Sequence, residues 1–360
     1  MRSVERVADG GAASGSRAAR LRPWRGRVRR PRWGPDARGR SAWARGRVLA
    51  ALGLSTAALL SFHSAVPNAV GRCGSLLETF LPWVGLAVPL LLFLAVLRRS
   101  ATASVVLLLP AAVWGQQFGG RLFTEDRGAY DFTAVQHNVS DVNPDPAGTA
   151  RALLRAAPDL VALEELTPSA LPAYERELAA DYPYRAVEGT VGLWSKHPLT
   201  AVRPVDIRPE GIEEGWNRGV RATARTPTGA VAVYVAHLPS VRLGRSGFGS
   251  GRRDESAGLL GAAVAGEELD RVVVLGDLNG TVDDRGLDPV TSRMDSTGRA
   301  LAFSWPARFP LSRIDHVMAR SATVVNVRTL PATGSDHLPV AAGIRLAPRT
   351  DDSPGAAGAS

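Results

Sequence analysis

The 360-residue chain has one cysteine, Cys73, and one lysine, Lys196. A single cysteine excludes an internal disulfide. Cys73 lies between hydrophobic segments with no partners for zinc binding or thiol catalysis, and Arg72 stands where a lipoprotein cleavage motif needs a small residue. Aromatic residues are scarce, at 6%. Most of the chain also lacks net positive charge. Residues 1–47 carry 14 arginines against Glu5, Asp9 and Asp36, a net +11, whereas residues 121–360 carry 26 basic and 30 acidic groups, a net −4. The overall +9 therefore describes the N-terminal tail. Nucleic-acid affinity rests on neutralising phosphates, and the bulk of this chain has no dense basic stripe for it. The tail has no helical periodicity and is rich in Gly, Pro and Ser, so it reads as disordered. A cytoplasmic topology signal accounts for its charge; tail binding to anionic lipid or nucleic acid stays open.

Three stretches lack charge altogether: 48–71, 79–97 and 100–120. A helix needs about 20 apolar residues to cross a bilayer core. "VLAALGLSTAALLSFHSAV", "FLPWVGLAVPLLLFLAVL" and "ATASVVLLLPAAVWGQQF" are thus expected to form about three transmembrane helices. A signal peptide or buried soluble helices are the alternatives. A 47-residue basic region is long for the first. Arg45 and Arg47 before the first run, and Arg98 and Arg99 between the second and third, argue against the second. The positive-inside rule puts those arginines in the cytoplasm. Three spans then place everything after about residue 120 outside. The expected order is a disordered cytoplasmic tail (1–47), a membrane anchor (48–120), an extracytoplasmic domain (130–347) and a disordered tail (348–360).

The external domain alternates short strands with a few helices. "DFTAVQHNVS" and "LVALEEL" read as strands, and "VRATARTPTGAVAVYVAHLPS" as a hairpin. "DESAGLLGAAVAGEELD" reads as a helix, and "RVVVLGDLNG" as a buried strand ending in a polar loop. This pattern implies a two-sheet α/β sandwich. Several strands stop at unusual polar residues: Asn138, Glu164 and Glu165, His237, Asp277 and Asn279. Asp315 lies in "SRIDHV", and Asp336 and His337 lie in "GSDHLPV", just before the last strand. Singly, each has a bland reading as a turn former, an exposed edge or a satisfied core histidine. His137, His197 and His316 are read that way. The set in this order is harder to dismiss, because a carboxylate among Val and Leu needs a partner.

These segments resemble the endonuclease/exonuclease/phosphatase superfamily, the DNase I-like fold, over about residues 130–347. "PDLVALEEL" is similar to its Pro-Asp-apolar-apolar-Ala-Leu-Gln-Glu segment, which puts the metal-binding Glu at Glu165 and Glu164 in the Gln place. "VGLWSKHPL", "AHLPS", "GDLNG", "SRIDHV" and "GSDHLPV" resemble five further motifs in the same order. The resemblance implies a four-layer two-sheet α/β sandwich and metal-dependent phosphoester hydrolysis. It implies Mg²⁺ or Mn²⁺ held by Glu165 and Asp336, as suits a hard cation. It implies that Asn138 positions a metal ligand or a phosphoryl oxygen, and that Asp277 orients or deprotonates water while Asn279 binds a phosphoryl oxygen. His337 would act as donor or base with Asp315 fixing its tautomer, and His237 would donate to the phosphate or leaving group. Arg218 and Arg221 are either phosphate contacts or ordinary surface arginines.

Fold does not choose the substrate. A site tethered near the outer membrane surface suits a phosphorylated, lipid-linked substrate, such as a polyprenyl (pyro)phosphate. The layout also resembles membrane-anchored actinobacterial proteins of the VanJ type, linked with teicoplanin resistance, which implies a role in cell-envelope metabolism. An extracellular nuclease, gripping phosphates with "VRLGRSGFGSGRRDES", and a non-catalytic envelope-binding module are the alternatives.

Overall fold

The computed structural model describes residues 40–123, 128–298 and 300–348. The two tails expected to be disordered lie outside these residues, apart from 40–47 and Pro348.

The chain begins with helices: α1 (Arg47–Ser61), α2 (Cys73–Thr79), α3 (Leu81–Val84), α4 (Ala87–Leu97), α5 (Ala101–Val106) and α6 (Leu108–Phe123). The three charge-free runs do not become three equal spans. Among the described residues, one helix is long and apolar enough to cross a membrane, Ala101–Leu122, which joins α5 to α6. The second run breaks at Phe80, where Cys73–Thr79 and Leu81–Leu97 meet at 78°; Pro82 at the start of α3 cannot continue the preceding helix. Counting that bent pair as one span gives two. In the first run, α1 stops at Ser61 and is followed by a 3₁₀ turn, His63–Ala65. Fifteen residues rise only about 22 Å, short of the bilayer core.

The second part alternates β1 (Phe132–Asn138), α7 (Pro146–Leu154), β2 (Leu160–Glu164), α8 (Leu171–Leu178), β3 (Tyr184–Glu188), β4 (Val191–Ser195), β5 (Leu199–Pro204), β6 (Gly219–Thr226) and β7 (Gly229–Ala236). A small hairpin, β8 (Leu243–Gly244) and β9 (Gly247–Phe248), precedes α9 (Gly251–Ala265) and β10 (Val272–Asp277). Then come α10 (Asp288–Thr291), β11 (Asp315–Arg320), β12 (Ala322–Thr329) and β13 (Val340–Leu346). One sheet has the order β12-β13-β1-β2-β4-β3 and the other β11-β10-β7-β6-β5.

Period-two alternation builds the layers. Ala134, Leu160, Leu193, Val233, Val273 and Val317 point between the sheets into one shared core. Their neighbours point outward: Val135, Val161 and Leu163 pack beneath Leu153, Tyr174 and Leu178 of α7 and α8. Tyr234, Val272 and Val274 pack beneath Ala257, Leu260 and Val264 of α9. The result is the expected two-sheet α/β sandwich with helices on both outer faces.

The pairing sets the position of the site. β1 runs parallel to β2, and β7 parallel to β10, so the ends of these four strands meet at one rim. β11 runs antiparallel to β10 and begins there, with Asp277 directly opposite Asp315.

Candidate active site

The rim gathers most of the residues singled out by sequence. Asp315 enters β11 fully buried, and its Oδ2 lies 2.8 Å from His337 Nδ1. Burial alone would lower the His337 pKa, but the carboxylates of Asp315 and Asp277 raise it to about 10. Burial likewise opposes ionisation of Asp315, yet His337 holds it at about 2. His337 is therefore an imidazolium at neutral pH, with Nε2 3.8 Å from Asp277 Oδ2.

Asp277 differs. Its carboxylate accepts from Asn138 Nδ2 (3.0 Å), from the Asn279 N–H (2.9 Å) and from Asn279 Nδ2 (3.2 Å). These donors do not offset burial, which together with Asp315 pushes its pKa up to about 7. Asn138 thus supports Asp277 and, through Oδ1, the Ser140 N–H. Asn279 bends back with φ 49, a left-handed conformation that asparagine adopts more readily than most residues other than glycine. Gly276 precedes Asp277 at φ 149, and a Cβ there would lie 1.9 Å from the Ala236 carbonyl oxygen. Only glycine lets β10 approach β7 this closely, which brings Asp277 toward His237.

His237 is 1% exposed, and its Nδ1 lies 3.2 Å from Arg218 Nη1. Arginine only donates, so Nδ1 accepts and the ring proton sits on Nε2. That atom is buried without a partner, 3.7 Å from both Glu165 Oε1 and Asp277 Oδ2. Burial, then Arg218, lowers its pKa to about 3 and keeps the ring neutral. Arg218 also lies over the Trp216 ring at 4.8 Å.

The adjacent glutamates part company. Glu164 ends β2 fully buried, with Oε2 accepting from Gln136 Nε2 at 2.8 Å. Burial first, then Asp315 and Asp277, raise its pKa well above the usual carboxylate range. A protonated carboxyl offers one donor and one acceptor, as a glutamine amide does, which suits the Gln place in the motif. Glu165 turns the other way at φ 59. Its Oε2 accepts the Asp141 N–H, and its side chain is 26% exposed at the cleft.

The cleft, of about 720 Å³, is lined by Glu165, Asp277, Asn279, Asp336 and His337, among others. Three of the candidate residues, Asp277, Asp315 and His337, bring ligand atoms within 4.8 Å of one another. Neither Glu165 nor Asp336 belongs to that cluster, although both were expected as ligands. Asp315 and His337 spend their facing atoms on each other, whereas Glu165 and Asp336 present carboxylates on the cleft wall. Carboxylates on the cleft wall are hard oxygen donors and fit a divalent cation of the Mg²⁺ type, whereas the His237 Nε2–H can only donate and is not a ligand.

Two arginines separate. Arg218 joins the site, but Arg221 is 5% exposed and pairs in two contacts with Glu267, at 2.8 and 2.9 Å. It is structural. The basic segment 241–256 forms the β8–β9 hairpin and the start of α9 rather than one loop; in it Arg253 is buried against Asp284 at 2.6 Å, while Arg242 lines the cleft. The other histidines face elsewhere, His137 toward Thr333 and His316 toward the Gly280 carbonyl, while the Ser195 hydroxyl binds His197 through its backbone.

Sequence reasoning missed Gln136 and Ser335. Gln136 Nε2 bridges Glu164 and Asp315. Ser335 Oγ donates to the Asn138 carbonyl and accepts the His337 N–H, which ties the last loop to β1. Both lie inside quoted motifs, and only their polarity in an apolar setting hinted at a role.

The sequence profile described as the endonuclease/exonuclease/phosphatase family matches residues 119–337. No curated protein matches the chain. Among solved structures, a beta toxin of Staphylococcus aureus with bound magnesium ions is 16% identical over 59% of this chain and 99% of its own, with a TM-score of 0.47. Sphingomyelinase C from Streptomyces griseocarneus is 18% identical over 59% and 98%, at 0.45. A mannosyl-6-phosphatase of Bacteroides thetaiotaomicron is 18% identical over 60% and 100%, at 0.48. The profile spans more than half of the chain and ends at the histidine that closes the site, and on that ground the chain belongs to the endonuclease/exonuclease/phosphatase family.

Proposed function

We propose that the chain is a membrane-anchored, metal-dependent phosphoesterase whose site lies outside the cytoplasm and acts on a lipid-linked phosphate or pyrophosphate of the cell envelope. The observation that carries this reading is the place where the catalytic sandwich is fastened. Arg121, at the end of α6, pairs in two contacts with Asp283, at 2.6 and 2.8 Å. Glu78, at the end of α2, is 1% exposed and binds Arg285. Arg45 and Ser100 meet at the opposite end of the helices, beside Arg47, Arg98 and Arg99. The sandwich and the arginine cluster thus sit at opposite ends of an apolar bundle whose large side chains are mostly exposed, as with Leu90, Phe93, Val96 and Leu108. Such a surface needs an apolar surround, and arginines at one end suit a cytoplasmic face.

At the site, water attacks phosphorus, its oxygen forms the new P–O bond, and the bond to the leaving oxygen breaks. Asp277, poised near neutrality, orients the water and accepts its proton. The His337 imidazolium, held by Asp315, donates to a phosphoryl oxygen. His237 presents Nε2–H toward the leaving oxygen, and Asn279, expected to bind a phosphoryl oxygen, instead donates its amide to Asp277 and to the Leu238 carbonyl and so holds Asp277 in place. Glu165, with Asp336, would hold a divalent cation, which would supply charge neutralisation at the phosphate. The link to glycopeptide resistance stays part of this proposal as one physiological setting.

The test is phosphate release by the full-length protein in detergent from polyprenyl pyrophosphate and phospholipid, with DNA cleavage in parallel. Release that needs Mg²⁺ or Mn²⁺, and that His337→Ala abolishes, supports the reading. DNA cleavage without lipid hydrolysis makes the chain an anchored nuclease, and no hydrolysis of any ester makes it a binding module.

A further inference from the structure

The cleft that holds the polar cluster has one apolar side. Leu76 and Phe80 come from the helical segment, Val142 follows β1, Leu243 and Phe248 belong to the small hairpin, and Trp305 lies in the loop before β11. Val142 is 81% and Leu243 73% exposed at the mouth. Contiguous exposed apolar surface marks a binding site more often than chance. This wall is built from four separate stretches, and the hairpin and helices are pinned together. The Phe248 N–H donates to the Gly71 carbonyl at 2.9 Å. Arg72 pairs with Asp254, and Thr281 Oγ1 donates to the Glu78 carbonyl. Arg242 is the one arginine or lysine among the lining residues, too little charge to track a nucleic-acid backbone.

We infer that this wall binds the hydrocarbon chain attached to the scissile phosphate, an alkyl or isoprenyl ester, so that the helical segment selects substrate as well as tethering the enzyme. The inference rests on the phosphoesterase reading for the head group alone. Continuity decides the occupant: one cavity is lined both by Asp277, Asn279 and His337 and by these apolar residues.

The experiment compares binding of octyl phosphate and methyl phosphate, with Mg²⁺, to the full chain in lipid nanodiscs, subtracting binding to protein-free discs. Each buried CH₂ is worth roughly fourfold in affinity. Octyl phosphate is expected to bind about tenfold or more tightly than methyl phosphate. The Val142→Ser, Leu243→Ser double variant changes two exposed positions and is expected to lose most of that ratio. Equal binding of the two esters, or a ratio that the variant and Phe80→Ala both retain, overturns the inference. Hydrolysis of the same two esters separates the two readings. A preserved octyl preference with no phosphate release sinks the hydrolase reading and leaves the wall as a binding site. Release from both esters at equal kcat/KM, without a binding preference, sinks the wall and leaves the hydrolase.

Discussion

Asp277 and Asp315 face each other across the β10–β11 pair, both buried, and their acidities diverge. His337 binds Asp315 and holds it near 2, while burial lifts Asp277 to about 7. Two carboxylates with separated pKa values are available for different tasks: one is a fixed charge, the other a proton acceptor near neutrality.

Asp315→Asn removes the charge that keeps His337 protonated. Activity is expected to fall by roughly 10²–10⁴, the range of acid–base contributions, and the His337 pKa to fall. NMR titration of the imidazole checks this; an unchanged pKa would contradict the assignment.

The acid limb of the kcat/KM profile is expected to follow Asp277, rising through about pH 7. The Asn138 hydrogen bond favours the ionised form. Asn138→Ala therefore moves the limb to higher pH. A limb that stays in place or moves down would remove Asp277 from the role of proton acceptor.

Glu164 is expected to be neutral in the folded protein, so Glu164→Gln should keep the fold and most of the activity. The sign of its pH effect follows from linkage. A carboxyl whose folded pKa is raised costs stability as pH climbs above its unfolded value, near 4.5. The advantage of Glu164→Gln over the parent should grow from pH 5 to pH 8 in thermal unfolding. A constant difference would mean that Glu164 is charged.

Arg285→Ala leaves the Glu78 carboxylate buried with only the backbone N–H of residue 285 and His63 Nδ1 nearby, each at 3.1 Å. Breaking a fully buried pair costs about 3–5 kcal/mol, and this pair, with Arg285 27% exposed, should cost less. Limited proteolysis should then cut between the helices and the sandwich well before the parent protein is cut.

Arg218→Ala frees His237 Nδ1 and removes a neighbouring cation, so the His237 pKa rises. The ring then takes up its proton at a higher pH than in the parent, although burial still opposes the charge, and NMR titration of the imidazole checks the shift. Arg218→Lys keeps the charge but not the fork and should restore only part of kcat.

Much of this was legible in the residues themselves. Period-two runs of Val, Leu and Ala define strands whatever surrounds them, and a polar residue ending such a run has few structural excuses. That logic, with the family resemblance, singles out Asn138, His237, Asp277, Asn279, Asp315 and His337 from the sequence alone. Gln136 and Ser335 stayed hidden because a buried amide or hydroxyl is ordinary until its partners are known. Arg218 and Arg221, three positions apart on neighbouring backbone, were indistinguishable in sequence. One reaches His237 and the other Glu267, because β6 turns successive side chains to opposite faces and Arg218 precedes the strand.

The sequence by itself determined the alternation that makes two sheets, the charge segregation between tail and domain, and the order of the motifs. These are local or compositional properties, and local physics reads them out. Tertiary structure alone decided the rest. It bent the second apolar run at Phe80 and ended the first at Ser61, since helix length depends on what a segment packs against. It split Glu164 from Glu165 by one left-handed residue, burying one and presenting the other. It also placed Phe80 and Leu76 in a cleft whose polar side lies some two hundred residues later in the chain. Contacts between distant stretches follow from closure of the whole fold, and no window of the sequence contains them.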